Sequence, residues 1–191
     1  MKLAQTKVTK AGFRIALALA LSVMLFLPAA YADSTITLTS PNAQSNGQFG
    51  SSVAINEGDP IVVVGAPFET ANALSHAGHA YVLDTTTGLI TTLTSPNAQA
   101  GGLFGISVSI SGTTVVVGAP DETANALPRA GHAYVFDATD GSLVTTLTSP
   151  NPQIGGLFGF SVSITGTTVV VGAPQETGSG FANAGHAYIF P

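Results

Sequence analysis

Between Ile106 and Thr148 the chain alternates, runs apolar and turns in a rhythm that fits pleated sheet. Ile106-Ser107-Val108-Ser109-Ile110 places apolar side chains at every second position, the period of a half-buried strand. Ser111-Gly112 marks a tight turn. Thr114-Val115-Val116-Val117 is a β-branched run, which suits a strand covered on both faces. Ala133-Tyr134-Val135-Phe136 predicts a third strand and Asp137–Gly141 a turn cluster. Leu143–Thr148, rich in Thr, predicts a fourth strand that tolerates solvent. No window beyond the N-terminal segment carries a 3.6-residue period, and the 23 threonines also favour sheet.

This pattern occurs three times. Ser40-Pro41-Asn42 returns as Ser95-Pro96-Asn97 and Ser149-Pro150-Asn151, and Phe49-Gly50 as Phe104-Gly105 and Phe158-Gly159. Gly65-Ala66-Pro67 returns as Gly118-Ala119-Pro120 and Gly172-Ala173-Pro174. Gly78-His79-Ala80-Tyr81 returns as Gly131-His132-Ala133-Tyr134 and Gly185-His186-Ala187-Tyr188. All spacings lie between 53 and 55 residues, so four landmarks keep one register. Repeated units of four short strands point to an all-β fold of three antiparallel β-propeller blades. The glycine after each Phe is expected where the chain turns sharply and no Cβ fits. Each Pro of Gly-Ala-Pro is expected to end the second strand, with the small residues beside it admitting a neighbouring sheet.

Phe-Gly, then Gly-Ala-Pro, then Gly-His-Ala-Tyr, three times in register over nearly all of 35–191, resembles the FG-GAP repeat. That repeat builds the integrin α-subunit propeller and occurs in many secreted bacterial proteins. The resemblance implies blades whose strand-two-to-three and strand-four-to-one loops share a partner-binding face. The blades fall at about 49–95, 104–149 and 158–191. Ser34–Ser40 reads as a fourth strand with no blade before it, while the third unit ends within its third strand. The N-terminal strand is therefore expected to complete the last blade. Three blades are fewer than the usual four to eight. A second copy closing a six-bladed ring as a homodimer, or a longer parent gene, is favoured over a compact three-sheet wedge.

Charge changes the picture at the N-terminus. Four of the five cations (Lys2, Lys7, Lys10 and Arg14) precede an apolar run, Ile15–Leu27, broken only by Ser22. Pro28 and then Ala30-Tyr31-Ala32 follow, in the order of a secretory signal peptide cleaved after residue 32. Thirteen helical residues rise only about 20 Å, short of a ~30 Å hydrocarbon core. The expected protein is secreted, extracellular or periplasmic, with no membrane association after cleavage. What remains has Arg129 as its sole Lys or Arg, against ten acids, a net charge of −9. Such a chain cannot neutralise a row of phosphates, which excludes nucleic-acid binding. No cysteine is present, which excludes thiol catalysis, thiolate metal sites and disulfides.

Candidate chemistry is sparse. The FG-GAP resemblance implies a calcium-binding, Asp-rich loop between strands one and two, but the corresponding turns Ser111-Gly112-Thr113 and Thr165-Gly166-Thr167 contain no acid. Asn56-Glu57-Gly58-Asp59-Pro60 keeps only two, so no cofactor is expected. His79, His132 and His186 share one repeat position, which favours a structural hydrogen bond at the start of strand three over a metal site. Glu69, Glu122 and Glu176 recur two residues after each Gly-Ala-Pro, which favours turn or inter-blade hydrogen bonding. With Asp121, Asn42, Asn97 and Asn151 they are also the candidate ligand-contacting residues of the loop face. Three equivalent acids lack the unlike environments that an acid–base pair needs, and no Gly-x-Ser-x-Gly appears. The expected role is a non-catalytic binding or adhesion module for protein or glycan. A scaffold or fragment is the alternative, and a polysaccharide-active enzyme the least favoured reading.

Overall fold

A computed structural model describes residues 35–191. The chain divides into two units, Met1–Leu38 and Thr39–Pro191. All described strands lie in the second, as three antiparallel sheets. The first sheet runs β1 (Ser52–Ile55), β2 (Ile61–Ala66), β3 (His79–Asp84) and β4 (Ile90–Leu93) in sequential order. The second repeats it with β5 (Ser107–Ser111), β6 (Thr114–Ala119), β7 (His132–Asp137) and β8 (Leu143–Leu147). The third has three strands, β9 (Ser161–Thr165), β10 (Thr168–Ala173) and β11 (His186–Phe190), with β11 at a free edge. The register also repeats: Val64 faces Tyr81, Val117 faces Tyr134 and Val171 faces Tyr188. In every repeat the second strand ends immediately before the Pro of Gly-Ala-Pro, as that residue's missing N–H dictates.

One expectation does not hold among the described residues. Thr35–Ser40 forms no strand, and the third sheet is not completed from it. A strand exists only where two segments pair, and Thr35–Ser40 is paired in none of the described sheets. The predicted leader, residues 1–32, and Ser34 lie outside the described residues. No helix among the described residues is long and apolar enough to cross a membrane.

The core lies between sheets, because each is apolar on both faces. Val63, Ala80, Val82 and Leu93 of the first sheet pack on Phe104, Val108, Ile110, Val115, Val117, Tyr134 and Phe136 of the second. The opposite face of the second, with Val116, Ala133 and Val135, packs on Phe158, Ile164, Val169 and Val171 of the third. Two identical seams result. At each, a Phe-Gly loop meets the preceding sheet backbone to backbone. Leu103 N and Phe104 N donate to the carbonyls of His76 (3.2 Å) and Ala77 (3.1 Å). Leu157 N and Phe158 N donate to those of Arg129 (3.1 Å) and Ala130 (3.0 Å). Gly105 has φ +92°, and a Cβ there would lie 2.2 Å from the carbonyl oxygen of His79. The seam therefore requires glycine for both torsion and space.

Candidate functional site

At the loop end of each sheet sits a buried carboxylate. The chain turns after Gly-Ala-Pro, which carries Glu69, Glu122 and Glu176 inward, where they are at most 1% exposed. A hairpin follows whose tip residues, Asn72-Ala73 and Asn125-Ala126, hold positive φ between 52° and 63°. The pairs Ala71↔Leu74 and Ala124↔Leu127 close these tips as two-residue turns of the primed type.

Each carboxylate collects three donors. Glu122 Oε2 accepts from Tyr134 Oη (2.5 Å) and His132 Nδ1 (3.0 Å), and its Oε1 accepts from Ser95 Oγ. Glu69 is held by Tyr81 (2.5 Å), His79 (2.9 Å) and Ser40 (2.5 Å). Glu176 is held by Tyr188 (2.5 Å), His186 (2.9 Å) and Ser149. The expected structural hydrogen bond of the repeated histidines is thus present, and its acceptor is the repeated glutamate. Every buried side-chain N or O among the described residues has a partner, so these clusters are satisfied networks rather than poised reagents.

The serine is the member that a sequence pattern cannot assign. Ser95 follows β4 of the first sheet by two residues, yet its hydroxyl is spent on Glu122 of the second. It staples an outer strand to the next sheet. The same loop supplies a second clasp. Gln99 Oε1 accepts from Thr123 N (3.0 Å) while its Nε2 donates to Thr123 O (3.4 Å), so the side-chain amide pairs as a strand would. Gln44 on Thr70 (2.8 and 3.2 Å) and Gln153 on Thr177 (2.8 and 3.4 Å) repeat it. The Ser-Pro-Asn-x-Gln and x-Glu-Thr loops therefore form one ledge on each sheet.

Of the candidate ligand-contacting residues, the three glutamates lie beneath this ledge, with their oxygens engaged. Asn42, Asn97 and Asn151 are exposed on it. Asn42 and Asn97 donate from Nδ2 to the carbonyls of Thr70 (3.5 Å) and Thr123 (3.3 Å). Asp121 sits at the ledge rim and pairs with half-exposed Arg129 at 3.0 Å. The structure brings Asp121 and Arg129 together across one hairpin, which sequence spacing alone did not indicate.

The residues do not fit the calcium site that the repeat type suggested. Asn56 Nδ2 donates to Asp59 Oδ2 (3.0 Å), and Asn56 Oδ1 accepts from Gly112 N of the next sheet (2.9 Å), so this loop makes an inter-sheet contact. The equivalent loops of the other sheets have no carboxylate, and no group of three or more His, Asp or Glu among the described residues could hold a metal. Two clefts of about 220 Å³ lie between sheets, lined in part by Val82, Asp84 and Thr139, and by Val135, Ile164 and Phe190. Neither places two carboxyl groups together.

Burial, and then the charge and hydrogen bond of the adjacent glutamate, push the phenols of Tyr81 and Tyr134 far above their ordinary range; Tyr188 moves the same way. In the unfolded chain these phenols ionise near pH 10. Their neutral form stabilises the fold fully below that pH, and the contribution drains away as pH climbs beyond it. Alkaline titration should therefore show phenolate absorbance rising together with loss of sheet circular dichroism. Ionisation of all three near pH 10 with the fold intact is the contrary result.

Stacked antiparallel sheets of four, four and three strands with a shared loop face define a propeller-type repeat protein. A family model for the FG-GAP repeat matches residues 33–83, 88–136 and 142–190, and the chain belongs to that family. No curated protein matches it.

Proposed function

We propose that the chain is a secreted, non-catalytic binding module whose ligand, a protein or a glycan, meets the row of ledges. One observation carries this reading. The repeats hold the frame constant and vary the rim. Glu-Thr, Ala-Gly-His-Ala-Tyr and the Gln clasp are the same in all three. By contrast, Phe68, Asp121 and Gln175 occupy one rim position, and His76, Arg129 and Asn183 another. A rigid scaffold that displays different side chains at equivalent rim sites, four of these six exposed and Phe68 and Asp121 partly so, suits recognition. It does not suit catalysis, which needs groups with unlike pKa values in one cleft. The basic, then apolar, then Ala-Tyr-Ala order of residues 1–32 supports export.

The test is a glycan and extracellular-matrix protein array probed with the full-length chain as an exporting host delivers it. A ligand should appear, and Asp121→Ala combined with Arg129→Ala should weaken its binding about tenfold or more, as loss of a central charged contact does. That surface pair contributes little to folding, so the double variant keeps its melting temperature. Silence across the array, or binding indifferent to the rim, removes the proposal.

A further inference from the structure

We infer that the two ends of the arc are halves of the same seam and that a second copy of this chain joins them head to tail, two copies closing a ring of six blades. Both internal seams use one set of groups, and the free ends carry that set unspent. By repeat position, Gln48 N and Phe49 N correspond to the donors Leu103 N and Phe104 N, and they have no backbone partner among the described residues. The carbonyls of Asn183 and Ala184 correspond to the acceptors His76 and Ala77 and are likewise without a backbone donor.

The backbone at both ends is already set for docking. Gln48 has φ 53°, against 56° for Leu103 in a formed seam. Asn183 has φ 56°, against 54° for His76. Gly50 keeps φ +94° although a Cβ there would meet nothing within 4 Å, whereas the same Cβ on Gly105 strikes the preceding sheet. The turn that holds it, Gly50 N to Gly65 O (2.9 Å) and Ser51 N to Gln48 O (3.1 Å), is the one Gly105 and Ile106 make in a formed seam, so this end keeps the docking geometry with its docking space open. The side chains agree. Val53 and Ile55 are 66% and 73% exposed where their counterparts Val108 and Ile110 are each 8% exposed. At the other end Ile189 is 69% exposed where Val135 is 6% exposed.

The register names the missing strand. Val82 pairs with Thr91 and Val135 with Thr145, four residues before Ser95 and Ser149. The corresponding pair is Ile189 on the free edge of β11 with Ile36, four residues before Ser40, of the second copy. Because an outer strand belongs to the sheet preceding its serine staple, the segment before Ser40 completes a sheet ahead of β1. An exposed strand edge is a ready template for such addition.

Light scattering across a wide concentration range should give twice the mass of one processed chain. Ile55→Asp and Ile189→Asp, on opposite ends and exposed in the single chain, should each return it to one, with unchanged circular dichroism. Ile154→Asp, an exposed loop residue away from both ends, should not. The chain has no cysteine, so chains carrying Ile36→Cys mixed with chains carrying Ile189→Cys should form a disulfide between copies on oxidation, at the spacing of an antiparallel pair. A single-chain mass at every concentration overturns the inference. So does a ladder of larger masses, or a cross-link within one chain when both cysteines are present. Loss of array binding by the rim variant with doubled mass retained would leave this pairing standing apart from the proposed ligand.

Discussion

Gly118→Ala should part the second and third sheets. An added Cβ would lie 1.9 Å from the carbonyl oxygen of Gly159 and 2.3 Å from Ser107 Oγ. The serine can rotate, although its hydroxyl would then lose the 2.8 Å bond it donates to that same carbonyl. The carbonyl cannot move, because Gly159 is fixed by its own N–H to Gly172 O (3.0 Å) and by the approach to His132. Overpacking a core usually costs about 1–3 kcal/mol, and a collision with backbone belongs at or above the top of that range. The expected loss is ~3 kcal/mol or more, a large share of a typical domain's ~5–15 kcal/mol, read as a fall in the urea midpoint. Gly172→Ala is the informative partner. It stands at the same repeat position but meets only Ser161 Oγ at 2.3 Å, so the fold of one chain should survive it. A comparable loss of single-chain stability from both substitutions would show that the seam is not what makes glycine necessary.

Glu122→Ala should be the most damaging change of a polar side chain. It strands the phenol of Tyr134, the Nδ1–H of His132 and the hydroxyl of Ser95 in a site from which water is excluded. Leaving a buried donor without an acceptor costs about 1–3 kcal/mol, and three are stranded at once, so a loss of ~3 kcal/mol or more is expected. Glu122→Gln keeps the shape and one acceptor oxygen, and hydroxyls can turn to accept from the new amide, so it should cost about 1–2 kcal/mol. Thermal melting of both variants beside the parent checks the order. Equal, small losses would mean that the carboxylate is dispensable to the fold and free for another role.

What could be read from the amino acids, and what could not, divides along physical lines. Ile106–Ile110 and Thr114–Val117 announced strands because alternation and β-branching are properties of a short window. The seams were legible because Gly-Ala-Pro and Phe-Gly recur where only small residues fit. The role of His132 followed from its recurrence at a strand start. Its acceptor, Glu122, needed the fold, and so did the serine staple, since Ser95 and Glu122 are 27 residues apart and no periodicity links them. The same holds for Gln99 and Thr123. Glu69, Glu122 and Glu176 could be placed in the right loop from sequence, but only the fold shows that they point under it. Thr35–Ser40 carries a strand-like pattern without a strand, because pairing belongs to two segments and sequence displays one at a time. The hairpin tips Asn72-Ala73 and Asn125-Ala126 gave half a signal: asparagine tolerates positive φ, alanine does not advertise it.

The sameness of the two seams also bears on how such a gene can grow. A segment running from one Phe-Gly to the next carries a matched plug and socket, so tandem duplication of that stretch inserts a working wedge without asking any existing residue to change. Length in this architecture is thus open to copying errors that would wreck a fold with a single centre, and each new wedge arrives with a blank rim for selection to decorate.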